Sequence, residues 1–289
     1  MSNLKMPTTQ FFGHEISRLI IGDNPFNGWS YIPDTVTYDD MVNFYTEEKI
    51  IETLFEAEKL GITGMLPLGD PFILRTLRHY FNRGGIMKTI FQPYTAIELK
   101  VNSRMVGGLN AIGMYHQGST TDVLAEAGDF DTIKENLKIL RDTGMKVGLG
   151  THYPYIIEKA EEEGWDVDFY VTCLHNARRG REGKKSGFIT GESKAGIRFF
   201  PEDRPVMLDL VKKVDKPCVV FKIFAGGQIF YGRKPEEIPD VVRGVYREVF
   251  SAIKPGDIAA MGVFQRNKNE LEENARIFCE VMEELGQNK

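Results

Sequence analysis

Short apolar runs alternate along the chain with stretches in which apolar residues recur every three or four positions. The first run, residues 18–22 (RLIIG), ends in the turn-forming residues Asp23, Asn24 and Pro25. Ile50, Ile51, Leu54, Phe55, Ala57 and Leu60 then fall at helical spacing, which predicts a helix over 46–60 closed by Gly61. The same succession continues with a strand over 62–68 and a helix over 71–82 that begins on Pro71. A strand over 89–97 follows, interrupted by Pro93. In the second half the spacing predicts strands over 111–116, 146–150, 167–174, 218–224 and 258–263. Helices are predicted over 131–143, 155–163, 201–214, 238–253 and 269–285. Eight apolar runs separated by amphipathic stretches imply parallel strands joined by crossover helices. Over about 270 residues that count fits a single α/β domain, a (β/α)8 barrel spanning 1–289, better than an open sheet. No GxGxxG turn follows the first run, and a short β-hairpin precedes it.

One segment breaks the rhythm. Residues 176–200 lack an apolar period and carry Arg178, Arg179, Arg181, Lys184, Lys185, Lys194 and Arg198 against only Glu182 and Glu192. A loop of this length in a compact domain is usually functional or disordered. It follows the sixth barrel strand, so the expectation is a basic loop over the C-terminal face, with Arg178 and Arg179 meeting an anionic substrate.

Composition narrows the function. Thirty-six Lys and Arg against 41 Asp and Glu give a net charge of −5, which argues against a dedicated nucleic-acid or membrane-surface binder. Cys173, Cys218 and Cys279 are odd in number, widely spaced and without a CxxC pair, which excludes a disulfide framework and a cysteine zinc site. No apolar run reaches membrane-spanning length, and the first residues lack the apolar core of a signal peptide, so a cytoplasmic protein is expected.

Four segments carry a family resemblance. TTQFFGHEISRLIIG, AIGMYHQGSTTD, DFDTIKENLKILRDTGMKVGLGTHYP and VFQRNKNELEENARIF occur in the order and spacing of the aldo-keto reductases, which the chain resembles over nearly its full length. The resemblance implies a TIM barrel. It places His116 at the family's catalytic histidine, and Arg266 and Asn274 at positions that hold the adenosine end of NADP. The remaining catalytic residues depart from the family. Leu66 and Pro71 stand where it has aspartate and tyrosine, and no lysine ends the third strand, which reads YTAIE. Proline has no proton to donate, so the resemblance does not imply the family's hydride-transfer mechanism.

The strand ends offer other chemistry. In order they present Asp23 and Asn24, Asp70, Glu98, His116, His152, His175 and Lys222. Three of the five histidines end successive strands. His116, His152 and His175 with Glu98 are candidate ligands for Zn or Mn; the plainer alternative is a set of hydrogen-bonding pocket histidines. Alternation along 146–152 puts Val147 and Leu149 toward the helices, and Gly148, Gly150 and His152 inward. His116 shares parity with Ile112 and Met114. Tyr170 and Thr172 form the more polar face of the sixth strand, which leaves His175 with the opposite parity.

Lys222, desolvated at the end of an apolar strand, is expected to have a lowered pKa and to serve as base or Schiff-base amine. Alternatively it pairs with Asp23, Asp70 or Glu98. Gly226 and Gly227 open a loop whose N–H groups suit an anion, with Arg266 near it; an ordinary loop and a surface arginine are the alternative. The turn from Asn24 to Trp29 offers a sugar-stacking wall or a packed tryptophan. Cys173 reads as a buried cysteine, a nucleophilic thiol being the rarer outcome.

The reading that follows is an enzyme acting on a small anionic or carbohydrate-like substrate by proton transfer or metal-assisted chemistry (isomerase, epimerase, lyase or hydrolase). His116, His152, Glu98, Asp70 and Lys222 are its catalytic candidates; Asp23, Asn24, His175, Gly226, Gly227 and Arg266 are its substrate contacts. An NADP-dependent oxidoreductase with an altered acid is the first alternative and a non-catalytic ligand-binding barrel the second.

Overall fold

In a computed structural model, which describes residues 5–176 and 198–287, the apolar runs form a closed barrel. A hairpin of β1 (Thr8–Phe11) and β2 (His14–Ser17) precedes it. The barrel strands are β3 (Leu19–Gly22), β4 (Gly64–Leu66), β5 (Lys88–Phe91), β6 (Ala111–His116), β7 (Lys146–Thr151), β8 (Phe169–Cys173), β9 (Cys218–Phe221) and β10 (Ile258–Met261). They pair in parallel in chain order, and β10 closes on β3. The helices of the described residues are α1 (Tyr38–Phe44), α2 (Glu47–Lys59), α3 (Pro71–Asn82), α4 (Leu99–Met105), α5 (Gly118–Glu126), α6 (Phe130–Arg141), α7 (Pro154–Glu162), α8 (Asp203–Lys213), α9 (Ile238–Ala252) and α10 (Glu270–Glu284). None of them is long and apolar enough to cross a membrane.

Two apolar layers hold this arrangement. The outward faces of the strands and the inward faces of the helices form one continuous cluster, with Ile50, Leu54, Leu77, Leu149, Ile156, Val245 and Phe278 among its fully buried members. Each such side chain contributes roughly 1.5–3 kcal/mol on burial. A second cluster fills the barrel itself with Ile20, Leu66, Ile90, Phe169, Val171, Val219 and Ile258. Phe11 and Ile16 of the hairpin belong to this inner cluster, and the Phe11 ring meets Phe169 edge-on at 5.4 Å. The hairpin is therefore a plug in the barrel's N-terminal end, which leaves the C-terminal end as the mouth.

The periodicity anticipates most long elements and misses α1 and α5, which occupy βα loops, and α4, the crossover helix between β5 and β6. The third run is shorter than its apolar stretch: β5 stops at Phe91, two residues before Pro93, which has no N–H to give a ladder. Most of the basic segment 176–200, with Arg178 and Arg179, lies outside the described residues.

One irregularity matters for the mouth. Thr89 pairs with Ala111, but Ile90 pairs with Gly113, so β6 carries one extra residue at Ile112. A bulge of this kind shifts the alternation of every later residue on its strand. Beyond it Tyr115 belongs to the inner cluster and Met114 to the outer one.

Candidate active site

His152 is the centre of the mouth. It follows β7, whose Gly148 and Gly150 face the interior beside Phe169 and Tyr115. A Cβ on Gly150 would stand 2.8 Å from the His116 carbonyl oxygen, and one on Gly118 3.3 Å from the Thr151 nitrogen. These two glycines let the start of α5 lie directly on β7. That approach delivers Asp122, fully buried on α5, to the end of the strand. Its Oδ1 accepts from the Thr151 hydroxyl at 2.6 Å and from the His152 N–H at 3.2 Å. Its Oδ2 lies 2.6 Å from His152 Nδ1. The carboxylate thus takes the Nδ1 proton and leaves Nε2 as the working nitrogen.

Lys222 Nζ is 3.3 Å from that Nε2. The lysine follows β9 with φ of +56°, a conformation that costs a non-glycine residue about 1–2 kcal/mol. Its ammonium stands 4.7 Å from the ring centre of Tyr31, 5.3 Å from Phe221 and 5.4 Å from Phe199. Burial alone would lower its pKa, as the sequence suggests; Tyr31, the Cys173 sulfur and Asp122 outweigh burial and raise it instead. Lys222 is therefore a held cation. Its side-chain partner is His152 rather than Asp23, Asp70 or Glu98.

Cys173 completes the group. Phe169 and Val171 face the barrel interior, so Cys173 at the end of β8 points the same way, as does His175 beyond it. The parity expected from the sequence is reversed because the Tyr170 phenol turns outward to Glu161 of α7. Burial raises the Cys173 thiol, but the Lys222 charge, the His152 ring and the His175 N–H together hold it below its ordinary value. His152 is shifted in the complementary sense: burial works against its charge, and the Cys173 sulfur and the Asp122 carboxylate raise it despite Lys222. His175 donates from Nδ1 to the Phe200 carbonyl at 3.1 Å, leaving its buried Nε2 without a partner. Burial lowers its pKa and keeps it neutral. His152, Cys173 and His175 line one cavity of about 410 Å³, walled by Pro154, Val206 and Met207.

The other side of the mouth is carboxylate and phenol. Asp23 Oδ2 accepts from the Leu68 N–H at 2.6 Å and from the Asn27 amide at 2.9 Å. Burial, reinforced by the charge of Asp70, pushes its pKa up to about 7 against those hydrogen bonds. Asp70 caps α3 through Oδ1, and its Oδ2 is buried without a partner. Tyr115 donates to Gln92 Oε1 at 2.9 Å and is held protonated by burial, with Asp23 and Tyr31 nearby. Asn24 reaches the Tyr31 hydroxyl at 3.4 Å.

Several expected site residues lie elsewhere. His116 faces the helices: Nδ1 meets Thr121 Oγ1 at 2.7 Å, and Nε2 meets the Asn136 amide at 3.1 Å. The bulge at Ile112 is the reason, since it gives the inward position to Tyr115. Glu98 is an exposed residue at the start of α4 with no capping bond. The four proposed metal ligands therefore do not converge. Among the described residues no three His, Cys, Asp or Glu side chains are grouped to hold an ion. Arg266 pairs with Asp40 of α1 and lies over Phe264. Asn274 accepts from the Tyr246 hydroxyl at 2.7 Å and donates to the Glu270 carbonyl at 2.8 Å, so both matched NADP positions are tied into the scaffold. Gly226 and Gly227 have φ of +59° and +92°. A Cβ on Gly226 would meet Tyr31 at 2.7 Å and one on Gly227 would stand 3.2 Å from Ile32, so the two glycines seat residues 31 and 32, and the Gly227 N–H is taken by the Phe224 carbonyl. Asp122, Tyr31, Gln92 and Tyr115 also stand at the mouth, which their places in the sequence do not announce.

No protein-family model and no curated protein matches the chain. Solved structures do. A truncated 3-deoxy-D-arabino-heptulosonate 7-phosphate synthase from Thermotoga maritima superposes with a TM-score of 0.53 at 11% identity, covering 99% of this chain and 92% of that one. The 3-dehydroquinate dehydratase of Geobacillus kaustophilus gives 0.51 at 11% identity, with 98% of both chains covered. An N-acetylneuraminic acid synthetase from Leptospira borgpetersenii gives 0.51 at 13% identity, covering 98% and 92%. At these identities the likeness establishes the TIM-barrel fold.

Proposed function

We propose that the mouth is the active site of an enzyme that moves protons on a small polar substrate bearing a carbonyl group, as isomerases, epimerases and lyases do. One observation carries this reading: the hydrogen-bonded chain from Asp122 through both ring nitrogens of His152 to Lys222. Asp122 fixes the ring and its tautomer. His152 Nε2 is the base that removes a proton next to a carbonyl and returns it. Lys222, a cation among aromatic rings, stabilises the negative charge that gathers on the carbonyl oxygen in the transition state. Asp23, ionising near pH 7 across the mouth, is the complementary acid.

The resemblance to aldo-keto reductases enters this reading as one of architecture. Leu66 fills the barrel interior and Pro71 is the first residue of α3, so neither supplies that family's proton. The neighbouring barrels bear the names of enzymes of oxygen-rich compounds, which supports the substrate class.

The test is proton exchange. Incubated in deuterium oxide with a panel of aldoses, ketoses, hydroxy acids and keto acids, the protein is expected to place deuterium next to the carbonyl of at least one. The rate should fall by about 10²–10⁴ in His152→Gln and Lys222→Met. A panel that takes up no deuterium above the rate of these two variants would overturn the proposal.

A further inference from the structure

We propose that Cys173 is a covalent nucleophile, and that the cavity it lines accepts the acyl group of a small ester or thioester. The inference goes beyond proton transfer and shares His152 with it. Cys173 lines one cavity with His152 and His175, and Lys222 Nζ stands 3.3 Å from His152 Nε2; the Lys222 charge and the His152 ring act together to favour the thiolate. Asp122 orients His152 from behind at 2.6 Å. A nucleophile, a base and a carboxylate that orients the base form the arrangement that acyl transfer requires.

A second, independent observation points to an occupant. His175 is 2% exposed, lines the same cavity, and its Nε2 has no partner. A buried acceptor left unsatisfied costs about 1–3 kcal/mol, which a ligand donor in the cavity would recover. Val206, Met207 and Pro154 supply an apolar wall for the acyl chain.

The step balances without a further reagent. His152 Nε2 takes the Cys173 proton as the sulfur attacks the acyl carbon, a C–S bond forms, and the negative charge on the carbonyl oxygen faces Lys222. The bond to the leaving alcohol or thiol then breaks, and that group takes the proton held on His152 Nε2. Water, deprotonated by His152, attacks the thioester, the C–S bond breaks, and the departing sulfur takes the proton back from His152 as the acid leaves. The sum is ester plus water giving acid plus alcohol.

The other two cysteines are internal controls. Burial, with Asp257 nearby, pushes Cys218 up to about 12, and burial with Glu280 pushes Cys279 up to about 11. The full chain is treated with p-nitrophenyl acetate, and acetylated peptides are mapped by mass spectrometry; a parallel sample receives iodoacetamide. Acetylation is expected on Cys173, with one equivalent of nitrophenolate released in a burst that Cys173→Ser lacks. Alkylation of Cys173 at pH 7 should outpace that of Cys218 and Cys279 by at least about tenfold, and Lys222→Met should remove most of that advantage. A burst equal in the parent and in Cys173→Ser, or Cys173 alkylated no faster than the other two, overturns the proposal. Deuterium exchange is a separate readout. Exchange without acetylation removes this inference alone, and acetylation without exchange removes the proton-transfer reading alone.

Discussion

His152 Nδ1 stands 2.6 Å from Asp122 Oδ2, and the two side chains are 5% and 0% exposed. The bond joins the residue that follows β7 to one on α5, and it decides which ring nitrogen faces the mouth. In Asp122→Asn an amide N–H can replace the acceptor, and the ring then adopts the other tautomer with a proton on Nε2. Deuterium exchange is expected to fall by at least about 100-fold. The melting temperature should drop modestly, because Oδ1 keeps its bonds to Thr151 and the backbone of His152, and loss of one such bond costs about 1–3 kcal/mol. An exchange rate equal to the parent's would remove Asp122 from the mechanism.

Asp23 makes stability depend on pH in an unusual direction. Its pKa rises from 3.8 in the unfolded chain to about 7 in the fold, so between these values the folded state holds the extra proton. Stability must then decline as pH rises from about 4 to about 7, by at most roughly 4 kcal/mol, and stay level above. Asp23→Asn removes this contribution. Urea titrations at pH 5 and pH 8 are expected to show the variant gaining on the parent with rising pH; parallel curves would contradict it.

His116 acts in the opposite sense. Burial lowers its pKa from 6.5 to about 4, so the unfolded chain binds the proton first as the solution is acidified. The parent loses up to about 3 kcal/mol from this residue between pH 6.5 and 4. His116→Gln is expected to flatten that limb of the stability curve and to leave deuterium exchange unchanged. A large loss of exchange in this variant would return His116 to the active site.

Two glycines separate local strain from general effects. Gly226→Ala places a methyl group 2.7 Å from the Tyr31 ring at a φ of +59°. The expected cost is about 1–3 kcal/mol, with a drop in exchange because Tyr31 moves against Lys222. Gly244 lies inside α9 with nothing within 4 Å of an added Cβ. Gly244→Ala is expected to stabilise by up to about 1 kcal/mol. Calorimetry on the pair reads both signs.

The barrel is legible in the sequence because its strands are buried on both faces and its helices on one, which writes two distinct periods into the chain. The site is legible only in part, for reasons that particular residues make plain. His152 is found because the glycines before it leave its inward parity clear. His116 is misplaced because a bulge changes the parity without changing the composition. Cys173 is buried as expected, but the inward parity it shares with His175 is hidden because Tyr170, polar only at its tip, belongs to the outer face, where its hydroxyl reaches Glu161. Asp122 escapes notice because it sits mid-helix, and only the contact of two glycines brings that helix onto the strand. The charge of Lys222 follows from neighbours far apart in sequence, so burial alone gives the wrong direction.

The extra residue at Ile112 carries a consequence for how such barrels diverge. Pairing the same residues without the bulge, Ile90 on Ile112 and Phe91 on Gly113, would exchange the two walls for the rest of β6, bringing the His116 imidazole into the lumen and sending the Tyr115 phenol among the helices. A slip of one residue in this pairing would thus swap one acid–base chemistry for another while every letter stayed the same. Two chains aligned histidine to histidine at this point can have those rings on opposite sides of the same wall.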